Sequence, residues 1–148
     1  MYYSAAKASG KLNIVVRDSA GNIKQDFEIP NLVVTSGLSF IASRMKDTTS
    51  AAMSHMAIGT GAVAAAAGNT ALGSESARVA LTSTTVTANA IAYVASFGPG
   101  VGTGAITEAG ILNAVSVGTL LCRTVFDVVN KGANDTMQIT WTVTLSAA

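Results

Sequence analysis

The side chains that could do chemistry in this sequence are few. There is one histidine, His55, one cysteine, Cys122, and only nine Lys and Arg against eight Asp and Glu. His55 has the right type for a general base, but a lone histidine between Ser54 and Met56 reads better as a surface or interface side chain. Ser74 and Ser76 flank Glu75, yet Gly73-Ser74-Glu75-Ser76-Ala77 is not a nucleophile elbow, and the C-terminal half carries no histidine to activate a serine. Arg123 beside Cys122 would favour a thiolate. Neighbours on a strand point to opposite faces, so Cys122 is expected to be a small buried hydrophobe.

Gly59-Thr60-Gly61-Ala62-Val63-Ala64 matches the letters of a dinucleotide fingerprint. That motif needs a long helix and a second parallel strand after it, whereas Gly68-Asn69-Thr70 interrupts this segment within one or two turns. The expectation is a structural loop from Gly59 to Gly73, with Gly59, Thr60, Gly61, Gly68, Asn69 and Gly73 as a candidate interface that approaches a neighbouring chain closely. Asp18, Asp26, Asp47, Asp127 and Asp135 lie scattered without EF-hand spacing, so neither metal nor cofactor is expected. The charges that draw notice are Glu75, Arg78, Glu108 and Arg123, each among small or apolar neighbours. They are expected to form structural ion pairs in partly buried sites rather than an acid/base set.

The elements that must position these groups are mostly strands. Leu12, Ile14 and Val16 alternate with other residues, Asp18 to Asn22 is a turn, and Ile23 to Ile29 returns as the second arm of a hairpin that Pro30 stops. Leu38, Ile41, Ala42 and Met45 follow helical spacing and predict a helix over 37–47, capped by Thr35 or Ser36. Strands are expected at 53–58, 78–87, 90–97, 106–112 and 119–129. A hairpin loop at 130–135 leads to a final strand, in which Met137, Ile139, Trp141, Val143 and Leu145 share one face, with Trp141 toward the core, and Gln138, Thr140, Thr142, Thr144 and Ser146 share the other. About eight strands and one short helix predict a mainly β fold: an antiparallel β-sandwich or jelly-roll-like barrel. A single domain covers 1–148, with 1–10 as a flexible or interface-forming arm.

Composition narrows the partners. The net charge of +1 provides no field to steer a nucleic acid. No apolar run reaches the 18 residues of a membrane helix, and the first residues lack a signal-peptide core. With 49% apolar and 11% charged residues, apolar surface has to be covered, which points to a homo-oligomer or a larger assembly.

The segments His55 to Leu81, Ile106 to Ala114 and Gly118 to Leu145 resemble a family of small tailed-bacteriophage structural proteins, often labelled tail fibre or virion proteins. The carrying motifs are the Ile58 to Gly61 loop, Thr70 to Arg78, the Ile106 to Gly110 turn and the closing Ile139 to Trp141. At Gly110-Ile111-Leu112 the chain departs from the Gly-Leu-Phe of that pattern while keeping its apolar character. The resemblance implies a non-enzymatic virion component, made in the host cytoplasm, that assembles with copies of itself and other phage virion proteins at the neck, tail or fibre base. A capsid decoration protein is a close structural alternative. A receptor- or carbohydrate-binding module is the rival from another class, and it would call for more exposed aromatics than the 5% found here.

Overall fold

The computed structural model describes residues 6–147. It is a mainly antiparallel β fold with one short helix. The elements are β1 (Ala6–Arg17), β2 (Ile23–Val33), α1 (Thr35–Arg44), β3 (His55–Gly59), β4 (Glu75–Ala80), β5 (Ser83–Thr87), β6 (Ala90–Phe97), β7 (Gly104–Leu112), β8 (Leu120–Lys131) and β9 (Thr136–Ala147). They form one sheet in the order β4-β3-β7-β8-β2-β1-β9-β6-β5, curled into a half-barrel.

The curl follows from two strands that change partners. β2 pairs with β1 along most of its length but with β8 only at Leu32 and Val33, opposite Arg123 and Cys122. The segment read from sequence as one strand, 78–87, is two: β4 ends at Ala80, Leu81 and Thr82 turn the corner, and β5 starts at Ser83. At that corner the Leu81 N–H donates to Ser54 O (2.9 Å) and the Thr82 N–H to Val94 O (2.7 Å), tying the two ends of the sheet together. β4 and β5 are therefore adjacent in sequence yet form the two outer edges of the sheet.

Alternation fills the concave side. Leu12, Ile14 and Val16 of β1 and Met137, Ile139, Trp141 and Val143 of β9 are buried there with Met56, Ile58, Phe97, Ile106 and Ile111. Each such side chain removes about 1.5–3 kcal/mol worth of apolar surface from water. Ala6 to Gly10 belong to β1, in register with Val143 to Ala147, so half of the expected N-terminal arm is strand. Residues 1–5 lie outside the described residues.

The helix starts earlier than its apolar spacing predicts and lacks the expected cap. Val34 occupies the N-cap position, where its apolar side chain offers no acceptor, and Ser36 lies inside the first turn with its hydroxyl donating to Leu120 O (2.8 Å). Gly37 lets α1 lie against β8: a Cβ there would run into the Leu121 carbonyl. On the N-terminal side of Leu32, where β2 runs apart from β8, a cleft of about 690 Å³ opens, lined by Phe27, Ile29, Phe126 and Asp127.

Candidate functional site

The convex side of the β4-β3-β7-β8 half carries the most organised polar cluster. Glu108 projects from β7 and Arg123 from β8, on the same face and one diagonal apart in register. Their side chains are 0% and 2% exposed. Small residues at Ala57 and Gly110 leave room above the sheet, and the segment from Gly59 to Ser74 folds down into that space.

Glu108 is the anchor of this segment. Its Oε2 accepts the N–H groups of Gly61 (2.6 Å) and Ser74 (2.7 Å), and its Oε1 accepts those of Gly73 (2.7 Å) and Arg123 Nε (3.0 Å). Arg123 completes the arrangement from the other side. Its Nη1 donates to Asn69 Oδ1 (2.9 Å) and its Nη2 to Val63 O (3.0 Å). Thr107 adds a hydroxyl bond to Gly61 O (2.9 Å), and the Thr60 N–H reaches Ser74 O (2.9 Å). A Cβ on Gly61 would overlap the Glu108 carboxylate, so glycine is what allows the backbone N–H to reach it.

Burial by itself pushes the Glu108 carboxyl up. The N–H groups of Ser74, Gly73 and Gly61 and the Arg123 guanidinium outweigh that and hold it below the usual carboxylate range. Both oxygens are already doubly occupied, so the carboxylate has no free position from which to take or give a proton. The pair works as a staple that ties the loop to the sheet. Leu72 is the loop's apolar foot, buried with Val34, Ala57, Leu112 and Leu120.

Glu75 and Arg78 form the second pair, both on β4. Nε of Arg78 donates to Glu75 Oε2 (2.9 Å) and Nη2 to Oε1 (2.7 Å), a two-point contact. Nη1 crosses to the carbonyls of Ala114 and Val117 (2.9 Å each), pinning the β7–β8 connection. Of the loop residues singled out from sequence, Gly59, Thr60, Gly61, Asn69 and Gly73 meet around Glu108 and Arg123, while Gly68 stands clear with nothing within 4 Å of its missing Cβ. The segment is thus ordered by polar contacts where large side chains are lacking.

Sequence reasoning missed a third cluster. Asp135 Oδ2 accepts the Lys24 ammonium (2.6 Å) and the Gly132 N–H (2.7 Å), and buried Lys131 donates to Gly98 O (2.8 Å). The hydrogen bond from Lys24 holds Asp135 below the usual carboxylate range. Desolvation lowers the Lys131 pKa while Asp135 partly restores it. Only the four-residue spacing of Lys131 and Asp135 across a turn hinted at this cluster.

The other candidates stand apart. Cys122 is fully buried and burial pushes its thiol up, away from the thiolate. His55 Nδ1 lies 2.8 Å from the Ser54 hydroxyl, on the next residue along the chain. Among the described residues no three of His, Cys, Asp and Glu gather as a metal site, and no helix is long and apolar enough to cross a membrane. Comparison with protein-family models, curated proteins and solved structures finds no match for this chain.

Proposed function

We propose that this chain is a structural protein of a tailed-phage particle, a sandwich or jelly-roll-like protomer that assembles with its own copies and other virion proteins. The observation that carries the reading is how its charges are used. Glu108 with Arg123, Glu75 with Arg78, and Lys24 with Asp135 each fasten a loop or strand of the same chain. Between Arg78 and Glu108 there is no Asp, Glu, Lys, Arg or His, and that stretch forms the exposed β5 and much of the surface around it. Uncharged sheet surface joins a neighbour without the desolvation cost of a Lys or Glu.

The primary reading is the neck, tail or fibre base, with a decoration role on the capsid as its structural alternative. A carbohydrate-binding module draws less support, since Trp141, the one tryptophan, is buried in the core and offers no stacking face. Mass spectrometry and immunogold labelling of purified particles encoding this chain test the reading. Multiple copies per particle at one location are expected, and absence from washed mature particles would overturn it.

A further inference from the structure

We infer that β5 is the edge through which two copies of this chain join, strand to strand about a two-fold axis. The inference rests on the assembly reading above and specifies its surface. β5 ends the sheet order: it pairs with β6 on one side, and its other edge has no strand partner among the described residues. Such an edge offers a row of N–H and C=O groups that another strand can complete.

Proteins ordinarily shield such edges with a charge, a proline or a bulge. β5 has none of these. Its sequence, Ser83-Thr84-Thr85-Val86-Thr87, is uncharged, and its register with β6 runs without a shift. All five residues are exposed, Val86 at 67%. The strand is also held in place: at its turn Asn89 Nδ2 donates to Leu145 O (2.7 Å), and the Leu145 N–H donates back to Asn89 O (2.9 Å).

The opposite edge is built differently. β4 carries Glu75 and Arg78 and its pairing with β3 shifts register at Gly59. The cleft between β2 and β8 also presents strand edges, but there Phe126 to Val128 bulge out of register against Thr107 and break the template.

A second β5 is the occupant the chemistry favours. Antiparallel self-pairing centred on Thr85 sets Thr85 opposite its own copy, Val86 opposite Thr84, and Thr87 opposite Ser83. Every such pair is β-branched or hydroxylated, and none brings like charges together. Beside this edge opens an apolar hollow of about 470 Å³ lined by Thr84, Val86, Met45, Phe40, Ile91 and Leu145, among others. A partner on β5 shields its rim, where Met45 stands 88% exposed.

Sedimentation velocity of the full chain across a concentration series tests the inference. The wild type is expected to dimerise reversibly. Thr85→Lys and Thr85→Glu, each checked for folding by circular dichroism, are expected to weaken association by about tenfold or more, because each sets like charges against each other across the axis. An equimolar mixture of the two variants is expected to recover dimers, since Lys then faces Glu. A wild type that stays monomeric, variants that associate as the wild type does, or a mixture that fails to recover would each overturn the edge assignment. Undiminished association of the variants would leave the assembly reading standing and remove only β5. Binding of an acyl-chain probe in the hollow without dimerisation would instead assign that surface to a small amphiphile.

Discussion

The two outer edges of this sheet, β4 and β5, are separated by only two residues of chain and are built on opposite principles. β4 places Arg78 so that its guanidinium grips Glu75 and two carbonyls of the β7–β8 connection, and the loop that precedes it is fastened to Glu108. β5 has hydroxyls and a valine with no charge for the length of the hairpin it opens. Charge near β4 is spent on holding the chain's own loops, while its absence at β5 leaves an edge without a penalty for contact. On the proposed reading, stability and association fall at different ends of one sheet.

The largest expected effect comes from breaking the staple. Glu108→Ala or Arg123→Ala strands its buried partner and is expected to cost on the order of 3–5 kcal/mol in denaturant unfolding, a large share of a typical 5–15 kcal/mol total. A loss near the 0–1 kcal/mol of a surface pair would place these charges among solvated ones and erase the contrast between the two ends.

Acid sharpens the same comparison. The Glu108 carboxyl is held low in the folded chain, so its contribution is complete above its ordinary value of 4.5 and is lost as pH falls through the depressed folded value. Asp135, also held low against an ordinary 3.8, adds loss in the same direction. Urea midpoints should therefore be flat near neutrality and drop below about pH 4.5. In Glu108→Gln the acid-induced drop should be smaller, whatever its stability at pH 7.

Asp135→Ala removes the partner of the exposed Lys24 ammonium and of the Gly132 N–H, and it is expected to lower the urea midpoint by less than either staple variant does. Arg78→Ala is expected to cost about 1–2 kcal/mol, since the pair is partly open to water, and to speed amide exchange across 113–118 ahead of the rest of the chain. The smallest effect belongs to the bare edge. Measured at concentrations where the chain is monomeric, Thr85→Lys should change unfolding stability by no more than about 0.5 kcal/mol, since Thr85 is exposed. A large loss there would mean that β5 supports the fold rather than presenting a surface.

Much of the fold was legible because strand alternation is local. Leu12-Ile14-Val16 and Met137-Ile139-Trp141-Val143 declare their buried faces by period alone, and the helix spacing at Leu38, Ile41 and Ala42 located α1 within a few residues. Its start was not legible, because the N-cap position falls to Val34, whose N–H is bound to Leu121 O of β8, and not to Thr35 or Ser36. The division of 78–87 into β4 and β5 was hidden for a similar reason. Val79 to Val86 has strand character throughout, and only the curl of the sheet decides that Leu81 and Thr82 turn a corner.

By itself the sequence determined the β class, the core faces of β1 and β9, and which charged residues stood conspicuously among small neighbours, whereas the apolar stripe Leu38, Ala42 and Met45 of α1 lies exposed and Gly37 is its buried residue. Residue type and period carry that information without reference to the rest of the chain. Only the tertiary structure decided that Gly61, Gly73, Ser74 and Arg123 converge on Glu108, that Lys131 is buried against Gly98, and that β4 and β5 end up as opposite edges. Those contacts join residues tens of positions apart, and their geometry depends on how far the whole sheet curls, a property no local window contains.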